Sequence, residues 1–316
     1  METPLIQVNE LKKYFPTPSG YLHAVDGVSF DIEKGKTLGI VGESGCGKST
    51  LGRLLLNLIP ATGGEVTFDG ESVTGSSRRS MKALRRKMQL IFQDPYASLN
   101  PRMTVSQAIA HPLKVTGTLQ GRAAIDARVS ELMDTVGLAR RYAYSYPHEL
   151  DGGRRQRIGI ARALSLNPTF IVCDEPVSAL DVSIQAQILN LLMDLQDETG
   201  LTYMFITHNL SVVKHISDDI AVMYLGQCVE KTSSRQLFSN PLHPYTRALL
   251  DAIPVPVLKK DGRKRSSLSG EIVSPINPPA GCRFAARCHL STDACTAQDI
   301  SLKEVEPNHF VKCVLY

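Results

Sequence analysis

The chain lacks a long hydrophobic run, a dominant charge of one sign and paired cysteines, and each absence removes a class of protein. No segment of the 316 residues approaches the roughly 20 consecutive apolar residues that a membrane-spanning helix needs, so membrane contact is expected only through a partner. The opening METPLIQVNE has no basic stretch followed by an apolar one, and a secretory leader is not expected. The formal net charge is only +4, from 35 basic and 31 acidic residues, which argues against wholesale wrapping of nucleic acid. The basic runs 78–87 and 259–265 are read as solvated faces. Seven unevenly placed cysteines do not make a secreted disulfide scaffold and point to the cytosol. Internal repeats and long low-complexity tracts are also missing.

What is present suits one large domain plus an appendage, with 43% hydrophobic residues for a core. Residues 5–41 read as strands and turns, since Val25, Val28, Phe30 and Ile32 partly alternate with polar positions and the apolar stretch 37–41 follows Lys34-Gly35. Glycines then interrupt the chain, and apolar residues recur at helical spacing from Lys48 to Ile59, before Pro60. A helix-rich stretch, about 100–165, carries Val129, Leu132, Met133 and Val136 at amphipathic spacing and predicts a helical subdomain. Apolar strands at 170–173 and 203–207 flank a helix over 183–198, whose Ile184, Ile188, Leu191, Leu192 and Leu195 share a face, with Gly200 just past its end. Strand, helix and strand imply parallel pairing. The expected organisation is a nucleotide-binding domain over 1–250 and, beyond a proline-rich and basic linker, a small module within 251–316.

Gly42-Glu43-Ser44-Gly45-Cys46-Gly47-Lys48-Ser49 fits the pattern G-x-x-x-x-G-K-[ST] between a predicted strand and a predicted helix. Glycines there let the backbone curl so that N–H groups converge on phosphate oxygens, and the helix adds its positive end. Lys48 supplies a point charge for the β and γ phosphates, the Ser49 hydroxyl suits Mg²⁺, and Thr50 follows in the first helical turn. Cys46 is read as a small spacer. The strand Phe170-Ile171-Val172-Cys173 ends in Asp174-Glu175, which places two acids at a carboxyl edge of the sheet beside that loop. Adjacent acids allow divided labour: Asp174 holds Mg²⁺ through water and Glu175 polarises the attacking water. Cys173 and Cys228 sit in apolar strands and are read as core.

Around these lie Gln93 in Leu90-Ile91-Phe92-Gln93-Asp94-Pro95, the run Leu150-Asp151-Gly152-Gly153-Arg154-Arg155-Gln156-Arg157, then Ser178-Ala179-Leu180-Asp181, and His208 at a strand end. In this order they resemble the Q-loop, signature, D-loop and switch histidine of ABC ATPases, over about residues 5–250. The resemblance implies an α/β, ABC-type P-loop ATPase with a mixed or parallel sheet core, a helical subdomain and a small Cys-bearing C-terminal module. It implies that ATP and Mg²⁺ bind, that Gln93 senses Mg²⁺ and the membrane partner, and that His208 contacts the γ-phosphate. Phe15 stands where the family stacks an aromatic on adenine, with Tyr14 and Tyr21 as rivals. Asp151, Gly152, Gly153 and Asp181 are grouped with the nucleotide-binding residues. The family signature reads Leu-Ser-Gly-Gly-Gln; here Asp151 replaces the serine and Arg154 the glutamine. A carboxylate accepts hydrogen bonds but donates none, and it brings like charge toward phosphate. An impaired signature face, and hence a paralogous second ATPase subunit, is therefore expected.

Residues 240–249, Asn-Pro-Leu-His-Pro-Tyr-Thr-Arg-Ala-Leu, and 274–282 resemble the C-terminal region of oligopeptide and dipeptide importer ATPases, with nickel importers as close relatives. That resemblance implies peptide import, two membrane-spanning permease subunits, an external peptide-binding protein, and a peripheral place at the cytoplasmic face of the inner membrane. A soluble ABC ATPase acting on nucleic acid is the rival of a different class, and no nucleic-acid partner is expected. Cys282, Cys288, Cys295 and Cys313 crowd the last 35 residues as C-x₅-C-x₆-C-x₁₇-C, unlike the C-x₂-C pairs of common zinc modules. Irregularly spaced thiolates can hold a 4Fe-4S cluster, which similar family members also imply, with zinc and unligated thiols as the alternatives.

Overall fold

Alternating apolar and polar side chains near the start of the chain give long twisted strands, and short, wholly apolar segments give buried parallel ones. The computed structural model describes residues 3–253 and 273–316. They fall into a first unit, Met1–Glu33 with Thr37–Thr74 and Thr207–Tyr316, and a second, Lys34–Lys36 with Gly75–Ile206.

The first unit opens with β1 (Ile6–Thr17), β2 (Gly20–Ile32), β3 (Thr37–Val41), β4 (Gly63–Phe68) and β5 (Glu71–Ser72). An antiparallel sheet runs in the order β2-β1-β4-β5, with Val8 of β1 opposite Phe30 on one side and Val66 on the other. In the second unit β6 (Met88–Ile91), β7 (Phe170–Asp174) and β8 (Thr202–Ile206) pair in parallel, and every residue of β7 and β8 is buried. The first unit then resumes with β9 (Asp219–Tyr224), β10 (Gln227–Ser233), β11 (Lys303–Glu306) and β12 (His309–Val311). Here β3 lies parallel to β9, and β9, β10, β12 and β11 follow antiparallel. The sheet chemistry is thus mixed, as the sequence implied.

The helical stretch of the second unit contains Val105–Thr116, Arg122–Thr135 and Gly152–Leu164. Thr104 and Gln107 form a reciprocal capping box at the first of these. Val129, Leu132, Met133 and Val136 are buried, as their spacing requires. The helix Val182–Thr199 buries Ile188, Leu192 and Leu195 and ends on Gly200 at φ +68°. The helix that begins at Lys48 ends at Leu55 and not near Ile59, because Asn57 turns left-handed at φ +47°. The basic run Arg78–Lys87 is a helix capped by Ser77, with Met81 and Leu84 buried beneath its charges; the run 259–265 lies outside the described residues. Among the described residues no helix is long and apolar enough to cross a membrane.

The described part of the tail belongs to the first unit. β12 pairs with β10, the Asn277 N–H donates to Tyr21 O at 2.9 Å, and the His23 N–H donates to Pro275 O at 3.0 Å. The expected boundary at 250/251 adjoins residues 254–272, which lie outside the described set. Beneath the tail, the fully buried Glu230 accepts from Leu242 N (2.8 Å), His243 N (2.9 Å) and His309 Nε2 (2.7 Å), so its charge is met by donors on three sides.

His243 caps the helix Pro244–Asp251, its Nδ1 accepting from Tyr245 N at 3.1 Å. Burial first, then the Arg247 charge, pulls its pKa down to about 4, and it is 1% exposed. A histidine held neutral in the folded state contributes its full stability above its ordinary value near 6.5 and loses it as pH falls from there through about 4. That loss amounts to roughly 3 kcal/mol. Urea unfolding followed from pH 7 to pH 4 is expected to show a shallower decline for His243→Asn than for the parent chain, by up to that amount.

Candidate functional site

The glycine loop of the first unit follows directly from β3 and runs into the helix Lys48–Leu55. Gly42, Gly45 and Gly47 have φ of +152°, +79° and +104°, values that L side chains rarely adopt. Two of them are also jammed against backbone: a Cβ at Gly47 would lie 2.0 Å from Ala24 O, and one at Gly42 would lie 2.2 Å from Met223 O. Gly45 differs, with nothing within 4 Å of such a carbon. Ser44 and Gly45 are exposed, whereas Cys46 and Lys48 are buried.

Lys48 folds back under the loop, its Nζ donating to Gly42 O at 2.8 Å and Glu43 O at 2.9 Å. The ammonium therefore sits inside the curl that the glycines create. Ser49 and Thr50 stand in the first turn of the helix, where N–H groups lack intrahelical partners. Burial pushes the Cys46 thiol up, against the pull of Lys48, so it is not poised as a nucleophile. Its carbonyl accepts from Gly226 N at 2.9 Å and the Asp26 N–H donates to Gly226 O at 2.8 Å, stitching the loop to β2 and to the β9–β10 turn.

Two contacts on Glu43 come from the far end of the sequence. The Glu43 N–H donates to the Tyr245 hydroxyl at 2.9 Å, and its carboxylate receives both arms of the Arg287 guanidinium at 2.8 and 3.0 Å. Nothing local in the sequence marks the pairing of Glu43 with Arg287, 244 residues away.

The three candidate aromatics have different surroundings. Tyr14 stacks on His23, ring centroids 3.9 Å apart, and its hydroxyl donates to Asp26, which also takes His23 Nδ1 at 3.0 Å and the Arg283 guanidinium. Burial tends to raise the Asp26 carboxyl, but the hydrogen bonds from Tyr14 and His23 and the Arg283 charge outweigh it and hold it below its ordinary value. Tyr14 is thus committed to internal bonding. Phe15 is half-buried with the Lys13 ammonium 4.9 Å from its ring centroid, and Tyr21 is exposed. His208 also belongs to this unit and is exposed.

Gln93, Asp174 and Glu175 lie in the second unit. Asp174 is buried at the end of β7, and the next residue, Glu175, takes φ +47°. A left-handed glutamate costs on the order of 1–2 kcal/mol and persists only where its surroundings enforce it. Its N–H donates to Ile206 O at 3.0 Å, its carbonyl accepts from Ser178 N and Oγ at 3.2 and 3.1 Å, and its carboxylate takes Gln93 Nε2 at 3.0 Å. Gln93 and Glu175 have separate roles by sequence; the fold joins them by a hydrogen bond.

Asp151 caps the helix Gly152–Leu164 by accepting from Arg154 N at 2.8 Å, and it is also paired with the Arg154 guanidinium. The charge expected to face phosphate is therefore met from within the same helical turn. The adjacent glycines are closely packed against side chains: a Cβ on Gly153 would lie 2.7 Å from Ile184 Cγ2, and one on Gly152 would lie 3.0 Å from Leu180 Cδ2, so a larger residue there would have to displace them. Asp181 stands at the N-cap of Val182–Thr199, exposed and making no side-chain cap bond.

Cys282, Cys288, Cys295 and Cys313 line one small pocket of the first unit, with apolar neighbours that include Phe284, Leu290 and Ile300. All are free thiols. Burial pushes Cys282 up to about 11, with the other three sulfurs adding to the rise, and raises Cys288 and Cys313 as well. No group of three or more His, Cys, Asp or Glu among the described residues is arranged to hold a metal ion as it stands. The four sulfurs are nevertheless gathered around one apolar pocket. Cys173 and Cys228 are buried strand residues, as expected.

Residues 25–178 match the family model described as ABC transporter, and residues 229–295 match that of the oligopeptide/dipeptide transporter C-terminal region. The chain is 51% identical to the oligopeptide transport ATP-binding protein AppF of Bacillus subtilis, covering 99% of this chain and 97% of the relative. It is 50% identical to the dipeptide transport ATP-binding protein DppF of Escherichia coli, covering 96% and 92%. Among solved structures, the dimeric post-hydrolysis state of the ATP-binding cassette MJ0796 with ADP and Pi superposes with a TM-score of 0.67 at 28% identity, covering 73% of this chain and 99% of that one.

The glycines separate folding from binding. Gly47→Ala, which drives a Cβ into the Ala24 carbonyl, is expected to lower stability by about 2–4 kcal/mol and to abolish nucleotide binding. Gly45→Ala meets no protein atom, so denaturant unfolding is expected to change by about 1 kcal/mol, while ATP affinity in a fluorescence titration falls at least about tenfold.

Proposed function

The chain belongs to the ABC transporter family of ATP-binding proteins, and from that premise we propose that it hydrolyses ATP to power import of dipeptides or oligopeptides through a membrane complex. The observation that carries the reading is one chain holding both a glycine loop curled around Lys48 and a match over 229–295 to the oligopeptide/dipeptide transporter C-terminal region. The named relatives transport peptides, which favours peptide over nickel as cargo.

The loop 42–49 receives the nucleotide phosphates on its backbone N–H groups, with the Lys48 ammonium matching the β and γ charges. Thr50 extends the first helical turn behind it. Ser49, Gln93 and Asp174 would hold Mg²⁺, which supplies charge neutralisation on the phosphates. Glu175 accepts a proton from the attacking water, and its strained backbone aims the carboxylate. Its hydrogen bond from Gln93 ties that carboxylate to the residue through which the membrane partner is sensed. His208 contacts the γ-phosphate. Phe15 supplies the adenine stack, a role supported by the commitment of Tyr14 to His23 and Asp26.

Asp151, Gly152, Gly153 and Asp181 face nucleotide held by a second ATPase subunit, which the dimeric cassette among the solved relatives supports. That subunit is a paralogue, so that one signature in the pair keeps its serine. Two permease subunits and an external peptide-binding protein complete the complex, and the chain works peripherally at the cytoplasmic face of the inner membrane. Cys282, Cys288, Cys295 and Cys313 would hold a 4Fe-4S cluster that crosslinks the tail, a reading supported by the one pocket they line.

With the complex assembled in vesicles, Glu175→Gln is expected to retain ATP binding and lose about two orders of magnitude in hydrolysis and ATP-driven peptide uptake. Uptake of nickel without peptide would overturn the cargo, and undiminished hydrolysis the role of Glu175. Protein purified without air is expected to carry iron and sulfide with broad visible absorption, lost in Cys282→Ser. Zinc in place of iron, or no metal, would overturn the cluster.

A further inference from the structure

Between Cys282 and Cys288 the chain carries two arginines, and both reach into the body of the first unit. Arg283 donates to Leu225 O and pairs with Asp26, beside the turn that holds the Cys46 carbonyl. Arg287 grips Glu43 with two hydrogen bonds, and its Nη1 also meets the Tyr224 hydroxyl at 3.2 Å. Its side chain is 5% exposed, and the Glu43 carboxylate is the largest influence raising its pKa. Tyr245, fully buried against Tyr224 and Phe284, takes the Glu43 N–H on the same side. One residue of the glycine loop is thus held at both backbone and side chain by the C-terminal segment.

Glu43 is a chemical oddity in its position. A free carboxylate one residue into a loop that receives triphosphate repels its ligand, and the repulsion grows as water is excluded. A fork of two parallel N–H donors cancels the charge and fixes the direction of the carboxylate; a lysine could cancel the charge but not fix the direction.

We propose that Arg287 is a positioning residue for nucleotide binding, by which the C-terminal segment neutralises and orients Glu43 at the edge of the phosphate loop. The proposal rests on the reading of that loop as the ATP site. It makes the tail a working part of the ATPase, since the residues that hold the Glu43 N–H and carboxylate lie beyond position 240.

The test uses the assembled transporter and compares KM for ATP with kcat. Arg287→Ala is expected to raise KM about tenfold and leave kcat within about twofold, because an uncompensated charge weakens binding of the polyanion. Adding Glu43→Gln to Arg287→Ala is expected to recover most of the lost affinity by removing the charge that was left unpaired. Arg287→Lys, which keeps the charge and endangers folding least, is expected to raise KM about threefold. An unchanged KM in Arg287→Lys and Arg287→Ala overturns the proposal, as does a loss in Arg287→Ala that Glu43→Gln does not relieve, since a purely structural arginine would behave that way. Lys48→Ala in the same assay separates the two readings. If it leaves ATP affinity intact, the loop is not the ATP site; if it abolishes binding while the Arg287 variants stay normal, only the positioning role fails.

Discussion

Backbone N–H groups can converge on a polyanion only where the chain gives up Cβ atoms and accepts left-handed geometry, and that requirement organises the first unit. Gly42 and Gly47 press against the carbonyls of Met223 in β9 and Ala24 in β2, so the loop keeps its curl only while β2, β9 and the β9–β10 turn stay in place. The turn itself uses Leu225 at φ +42° and Gly226 at φ +81°, and it bonds to both Cys46 and Asp26. Two rigid neighbours therefore enforce a conformation that the loop would not hold alone. The apolar β3, buried throughout and parallel to β9, delivers the chain into it.

Charge follows from the same geometry. A loop that binds phosphate must keep nearby acids from competing, and here the counter-charge for Glu43 in the loop comes from Arg287 and that for Asp26 in β2 from Arg283. Both arginines lie between cysteines of the tail. The buried Glu230, met by His309 and by the N–H groups of Leu242 and His243, anchors the chain just ahead of Tyr245. In the second unit the strain at Glu175 has a comparable logic: the peptide is held left-handed by bonds to Ile206 and Ser178, and the side chain is directed to Gln93.

Much of this was legible in the sequence because it rests on local pattern. Phe170 to Cys173 and the run into Thr207 read as buried parallel strands through uninterrupted apolar character, and Gly200 marked a helix end that the fold retains. The glycine loop was legible because its spacing is short and its context, strand then helix, is contiguous. Other features were not, each for a physical reason. The apolar run to Ile59 outlasts its helix because a left-handed Asn57 overrides periodicity. Tyr14 and Phe15 are adjacent and chemically alike, and only the strand's two faces separate them, one toward His23 and Asp26. The grip of Arg287 on Glu43 spans nearly the whole chain and leaves no local trace.

The altered signature shows how a departure from pattern can be self-consistent. Serine and aspartate both cap helix N-termini well, so Asp151 keeps the structural duty of the position it occupies, accepting from Arg154 N at 2.8 Å. What it adds is a negative charge, and the second departure, Arg154 in place of glutamine, pairs with that charge three residues along the same turn. Either change alone would leave an unbalanced charge beside Gly152 and Gly153; together they leave none. Because both side chains remain about half exposed, the pair is held loosely and is screened by salt, so a polyanion approaching this face would compete with Asp151 for the Arg154 guanidinium. The two substitutions therefore act as one coupled exchange that balances charge, while the serine's hydrogen-bond donor stays absent from this face.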